Sequence, residues 1–320
     1  MLILSENDIL NAVDFNDLLK SAENALLLQE SGEFFMPDRV HLHHQGNVQL
    51  IMPAFANDHF ATKLVSVYPG NRKLGKPSLY GTVILQDGHT GEPLALLNGA
   101  KLTALRTGAA GALGLAWTSP RNLETIGLVG AGVQGFHQAL FACTVRNINK
   151  IAVFDPYHKD IQGFIRELSA FLPEVKITEQ KNIHELLNQS EAVITSTTSL
   201  KPVIPGDVSL INGKHFIGIG SYRPDMREYP DALFKQLSAV IVDTPLAKKE
   251  SGDLASPLKM GLIREDQVYT LGKLISGKVK IDDTQTNFFK SVGMALFDLE
   301  AAEIIYSRAK QKQIGQEVEL

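Results

Sequence analysis

Thr125-Ile126-Gly127-Leu128-Val129-Gly130-Ala131-Gly132-Val133-Gln134-Gly135, an apolar run passing into three spaced glycines, decides the fold. The run predicts a strand, 134–145 predicts the helix that follows it, and 150–154 predicts a second strand ending at Asp155, 20 residues after Gly135. Glycine strings of this spacing arise by chance, but a preceding strand, a following helix and a distal acid are what a dinucleotide-binding turn requires. Gly130 would make the tight turn, Gly132 would let the backbone approach a pyrophosphate, and Gly135 would let the helix press on the strand. The helix start, through Val133 and Gln134, offers N–H groups and the positive dipole end to phosphates. Asp155 reads as the acceptor for the adenosine ribose hydroxyls; a carboxylate there repels a 2′-phosphate. NAD(H) is therefore the preferred cofactor, with NADP(H) still compatible. The plainer reading of Asp155 is a strand-end turn residue.

Downstream, helical stretches at 161–171 and 183–189 alternate with apolar strands at 175–178, 192–195, 215–219 and 240–242. Near-continuous apolar strands alternating with helices predict a parallel sheet covered on both faces, a doubly wound Rossmann domain of the α/β class. Upstream the texture differs. Residues 5–28 read as two helical stretches with Ser5 and Asp14 as N-caps. Short β-rich runs follow at 48–52, 62–68, 81–86 and 93–98, separated by Pro69-Gly70-Asn71 and Asp87-Gly88, and predict an antiparallel or mixed sheet. A helix rich in Ala and Gly spans 102–117. The tail, 288–309, reads as one amphipathic helix returning to the first domain. The expected organisation is a Rossmann domain, 118–290, inserted into an α+β domain made of 1–117 and 291–320.

Bulk properties narrow the chemistry. The chain has 320 residues and a formal net charge of −4, which suits two domains and gives no reason to expect nucleic acid as a partner. Cys143 is the single cysteine, so an intrachain disulfide and a cysteine-based zinc site are excluded, and its apolar helical setting predicts an inert thiol. No run approaches the roughly 18 apolar residues that a membrane span needs, and Met1-Leu2-Ile3-Leu4-Ser5-Glu6 has no signal-peptide pattern. A cytoplasmic protein is expected. His41, His43 and His44 lack an acid at suitable spacing, and no metal is expected.

Three cations stand out in the first domain: Arg39 after Met36-Pro37-Asp38, Lys63 in Ala61-Thr62-Lys63-Leu64-Val65, and Arg106 in Thr103-Ala104-Leu105-Arg106-Thr107. Lys63 and Arg106 sit among apolar or small residues, where an unpaired charge is costly to bury. Spacing alone leaves two answers open: a bound carboxylate or the protein's own acids.

At these residues the chain resembles the ornithine cyclodeaminase/mu-crystallin family. The resemblance runs in order through Met36-Pro37-Asp38-Arg39, Lys63 with Tyr68-Pro69-Gly70-Asn71, Thr103-Ala104-Leu105-Arg106-Thr107, the glycine turn, Gly220-Ser221-Tyr222-Arg223-Pro224-Asp225, Lys249-Glu250-Ser251-Gly252-Asp253 and Phe289-Lys290-Ser291-Val292-Gly293. It implies a homodimer formed through the first domain, and a small amino or imino acid whose carboxylate is held by Arg39, Lys63 and Arg106 beside the nicotinamide. It also implies that Thr195, Thr197, Ser221 and Ser291 lie near the cofactor's nicotinamide half. Cyclodeaminases of the family carry Gly-Gly-Asp where this chain has Tyr222. The Ser-x-Arg-Pro-Asp form is more like ketimine reductase-type members. That points to NAD(P)H-dependent reduction of a cyclic ketimine carboxylate, with ornithine cyclodeaminase, an alanine-type dehydrogenase and a non-enzymatic crystallin-like ligand-binding protein as alternatives. Lys63 and Asp225 are the catalytic candidates, Asp225 for the iminium nitrogen or as an orienter of Lys63 or Arg223.

Overall fold

The computed structural model describes residues Met1–Glu319. Contacts divide the chain into two compact units, Met1–Arg106 with Met294–Leu320, and Thr107–Gly293. The helix Gly99–Thr118 carries the chain across the first of these divisions.

The first unit is built on an eight-stranded sheet. Its order is Gln316–Glu317, Leu2–Leu4, Pro93–Asn98, Leu79–Asp87, His59–Val67, Asn47–Ala56 and Phe34–Phe35, with Val40–His44 also paired to Asn47–Ala56. Neighbours are antiparallel except Leu2–Leu4 against Pro93–Asn98, so the sheet is mixed. The strand expected to stop at Met52 continues through Pro53. Proline is tolerated there because no strand flanks residues 52–54 on one side: Val40–His44 pairs only as far as Ile51, and Phe34–Phe35 begins at Phe55. Helices Phe15–Ser31 and Ala295–Lys312 contact each other, and the latter covers the central strands. Both early helices start as expected, with capping boxes at Ser5 and Asp14. The period of two along His59–Val67 buries Ala61, Lys63 and Val65 on one face, so Lys63 points inward between its strand partners Met52 and Val83.

Ala295–Lys312 also buries Glu300, only 6% exposed. Burial, reinforced by the Glu303 charge and opposed by a hydrogen bond with Asn24, pushes its carboxyl from the ordinary 4.5 up to about 7. The folded chain thus keeps a proton that the unfolded chain releases, and stability from this site is lost as pH rises from about 4.5 to about 7. Glu300→Gln should therefore stabilise by about 1–3 kcal/mol near pH 8 and by little near pH 4.5. Calorimetric melting at both pH values checks this; a gain independent of pH would contradict it.

The second unit holds an eight-stranded, wholly parallel sheet. The order is Lys176–Glu179, Lys150–Phe154, Thr125–Val129, Ala192–Thr195, His215–Gly218, Asn287–Lys290, Val240–Val242 and Val268–Thr270. From Thr125–Val129 the chain moves outward through two strands, then returns to the other side at Ala192–Thr195. The reversal places a switch point between these strands, where open α/β sheets bind ligands at the strands' carboxyl ends. The sheet is the doubly wound α/β architecture expected from the apolar runs.

One expectation fails. Residues 288–309 are not a single helix. Asn287–Lys290 is a wholly buried strand in the second unit, and the helix begins only at Ala295, after Gly293 at φ +76°. A short apolar run such as Phe288-Phe289 fits a buried strand and a helix start equally well, and only its neighbours decide.

Candidate active site

Within the first unit, Lys63 and Arg106 meet on one carboxylate. Lys63 Nζ lies 2.6 Å from Asp298 Oδ2, and Arg106 Nε donates to Asp298 Oδ1 at 3.0 Å. All three side chains are 7% exposed or less. Asp298 reaches them from the covered face of Ala295–Lys312, where Ala295, Ala301 and Ala302, one turn away on either side, are buried and small. Arg106 uses only Nε on Asp298. Its two terminal nitrogens have no protein acceptor among the described residues, and its guanidinium lies 5.9 Å from the centre of the Phe297 ring. One helical turn earlier, the Thr103 hydroxyl is buried without a partner. Two buried cations thus share one anion, and the open side of the arginine fork has the geometry for a second carboxylate.

Burial pushes the Lys63 ammonium from 10.5 down to about 7; Asp298 acts against that shift, while Arg106 and Arg39 add to it. Arg39, half-buried, is therefore close enough for its charge to act on Lys63. The lysine changes charge near neutral pH, as a group that passes protons requires.

Within the second unit, the glycine turn has the shape of a phosphate cradle. Gly130 adopts φ +101°, its N–H donates to Phe154 O (3.1 Å), and Ser196 Oγ donates to its carbonyl (3.1 Å). A Cβ on Gly135 would lie 2.1 Å from Gly130 O, so only glycine lets the helix approach this closely. At Gly132 a Cβ would meet no protein atom within 4 Å. Gly132 caps the helix Val133–Val145 without a side-chain bond, Val133 is 67% exposed, and Gln134 Oε1 is buried without a partner. Uncapped N–H groups facing open space at a glycine fit a dinucleotide pyrophosphate. Asp155 braces the same turn: Oδ2 accepts from Ala131 N–H (2.9 Å) and Oδ1 from Tyr157 N–H (3.0 Å). Each oxygen keeps a lone pair for a ribose hydroxyl.

Thr195, Thr197 and Ser221 stand at or just after the ends of the expected strands, and Ser291 follows the strand Asn287–Lys290, but their side chains are engaged with the protein. Thr195 bonds the Tyr229 phenol (2.9 Å), Thr197 Oγ1 donates to Glu228 (2.8 Å), Ser221 Oγ to Met226 O (2.9 Å), and Ser291 Oγ to Asp243 (2.7 Å). What these residues can turn toward a ligand is backbone. Asp225 pairs with Arg223, one of the partners weighed for it. Both of its oxygens are forked by Arg223 (3.0 and 2.9 Å) on an exposed turn, because Arg-Pro-Asp puts the two side chains two residues apart. Cys143 fits expectation: burial pushes its thiol up to about 12, leaving it protonated.

Asp298 was absent from the sequence reading. Its signal is an acid at an apolar position of an amphipathic helix.

Comparison with known proteins supports a shared architecture. The sequence model of the Ornithine cyclodeaminase/mu-crystallin family matches residues 1–313. The chain is 32% identical to the Delta(1)-pyrroline-2-carboxylate reductase of Bacillus cereus, covering all of both chains. Among solved structures it is similar to the Thermococcus litoralis Delta(1)-pyrroline-2-carboxylate reductase in complex with NADH and L-proline, at 32% identity and TM-score 0.92, covering 99% of this chain and 100% of that one. It is also similar to an archaeal alanine dehydrogenase dimer with bound NAD, at 26% identity and TM-score 0.91, covering 100% and 99%.

Proposed function

The chain belongs to the ornithine cyclodeaminase/mu-crystallin family, and on that premise we propose that it is an NADH-dependent reductase of a cyclic ketimine carboxylate, converting Δ1-pyrroline-2-carboxylate or Δ1-piperideine-2-carboxylate to proline or pipecolate. The observation that carries the reading is the half-used Arg106 fork beside Lys63, a buried site with more positive than negative charge. The 32% identity to a reductase of this substrate over the full chain gives it its direction. It acts as a cytoplasmic homodimer in this reading; no helix of the described residues is long and apolar enough to cross a membrane.

NADH, when bound, supplies the hydride. Arg106, with Arg39, holds the substrate carboxylate and so orients C2. Lys63 keeps or hands over the proton of the ring nitrogen. Hydride addition to C2 of the protonated imine gives the neutral amine, so one proton and one hydride account for the product. Asp298 holds Lys63 and Arg106 in place and balances part of their charge. Arg39→Ala should weaken substrate binding by about 1.5–3 kcal/mol with less effect on turnover. An unchanged Michaelis constant in steady-state kinetics would remove it from the carboxylate grip.

Following absorbance at 340 nm, with chromatography of the amino acids for the ornithine reaction, tests the assignment. NADH oxidation with Δ1-pyrroline-2-carboxylate is expected, against little NAD reduction with alanine and little proline formed from ornithine. NADH should outperform NADPH, and Asp155→Ser should narrow the ratio by about tenfold or more, because a carboxylate no longer faces the 2′-phosphate. Preference for NADPH in the parent would overturn the role of Asp155.

A further inference from the structure

One buried carboxylate joins the loops that follow two adjacent strands of the parallel sheet. Glu228, fully buried, accepts at Oε1 from the N–H and hydroxyl of Thr197 (2.7 and 2.8 Å). At Oε2 it accepts from the N–H groups of Gly220 (2.9 Å) and Ser221 (3.1 Å). Thr197 follows the strand Ala192–Thr195, and Gly220-Ser221 follow His215–Gly218. The two loops touch: a Cβ on Gly220 would lie 2.1 Å from Thr197 O.

Glu228 is fixed in turn. Its own N–H and that of Tyr229 donate to Asp253 Oδ1 (2.8 and 3.0 Å). Asp253 Oδ2 is buried 3.9 Å from Lys290 Nζ, and Lys290, also buried, donates to Gly218 O (3.2 Å). Ser221 Oγ closes the arrangement on Met226 O, beside Ser251 Oγ at 2.8 Å. Burying three charged side chains to join two loops costs desolvation that an apolar contact would avoid. What the charges provide is fixed distance between backbone groups.

The location gives that rigidity a use. The glycine cradle follows Thr125–Val129, and Asp155, the ribose acceptor, lies on one side of it at the end of Lys150–Phe154. A dinucleotide with its adenosine on that side and its pyrophosphate at the cradle runs in the other direction over the ends of Ala192–Thr195 and His215–Gly218. We infer that Glu228 is the positioning residue of the nicotinamide half, setting the spacing of the Thr197 and Gly220–Ser221 backbones on which that half rests. The inference rests on the dinucleotide reading above.

Glu228→Gln separates this role from a general structural one. An amide offers one acceptor oxygen where four donors converge on two, so one loop must come loose. Titration with NADH and with ADP-ribose, which lacks the nicotinamide, should show NADH affinity falling about tenfold or more while ADP-ribose affinity stays within about twofold. Equal losses for both ligands, or no loss for either, overturn the inference. Failure of the parent protein to bind NADH would instead overturn the dinucleotide reading itself. Should the variant not fold, amide hydrogen exchange on the parent protein decides the matter. Exchange at 197 and 220–221 should slow with NADH and not with ADP-ribose; equal slowing by both, or none, overturns the inference.

Discussion

Lys63→Met is expected to lower turnover with the cyclic imine by about a hundredfold or more while leaving NADH affinity within about twofold of the parent's. The lysine is 2% exposed, points inward from the middle of a strand and touches a carboxylate that Arg106 also holds. Methionine fills a similar volume and leaves Asp298 paired with Arg106, so the sheet and its covering helix keep their contacts. What disappears is an ammonium that burial brings down to about 7, where it can exchange a proton near neutral pH. The direction with pH follows from the lysine being held at about 7: it is cationic below that value and neutral above it. In the reductive direction, where the substrate needs a proton on nitrogen, kcat/KM should fall as pH rises through about 7. Oxidation of proline, which needs an acceptor for that proton, should rise over the same range. Lys63→Arg, which stays charged, should lose the inflection near neutral pH. A variant Lys63→Met with parental turnover, or an inflection surviving in Lys63→Arg, would take the lysine out of the chemistry.

The same cluster shows where sequence is informative. Lys63 and Arg106 could be singled out because a cation among apolar neighbours breaks a local pattern. Their shared partner could not be assigned, since Asp298 lies 192 residues from Arg106 and no local period links them. The glycine turn was legible for the opposite reason: strand, turn and helix are consecutive, and each glycine answers a steric demand from a near neighbour. The strand-end hydroxyls fall between these cases. The family resemblance singled out Thr195, Thr197, Ser221 and Ser291, but the direction each side chain takes depends on buried partners such as Tyr229, Met226 and Asp243. Misreading Phe288-Phe289 as the start of the last helix has a similar origin, because a run buried on both faces carries no period.

The second and third glycines of the turn should respond to substitution in opposite ways. A Cβ added at Gly132 would meet no protein atom within 4 Å, and the backbone there, at φ −94° and ψ −170°, suits any residue. Gly132→Val should therefore fold with an almost unchanged melting temperature. Its side chain occupies the space in front of the uncapped helix start, where a pyrophosphate must come within hydrogen-bond reach of the N–H groups. NADH affinity should fall about a hundredfold or more, since both the charged hydrogen bonds and the close approach are lost. Gly135→Ala reverses the pattern. Its Cβ would lie 2.1 Å from Gly130 O and 3.2 Å from Ser196 Oγ, contacts with backbone and a short side chain that cannot swing aside. The helix must move off the turn, costing about 1–3 kcal/mol of stability, and NADH affinity should follow only as far as the displaced turn requires. Thermal melting together with NADH titration of both variants separates the outcomes. Parental NADH affinity in Gly132→Val would mean that the open space in front of this helix is not where the dinucleotide's phosphates lie.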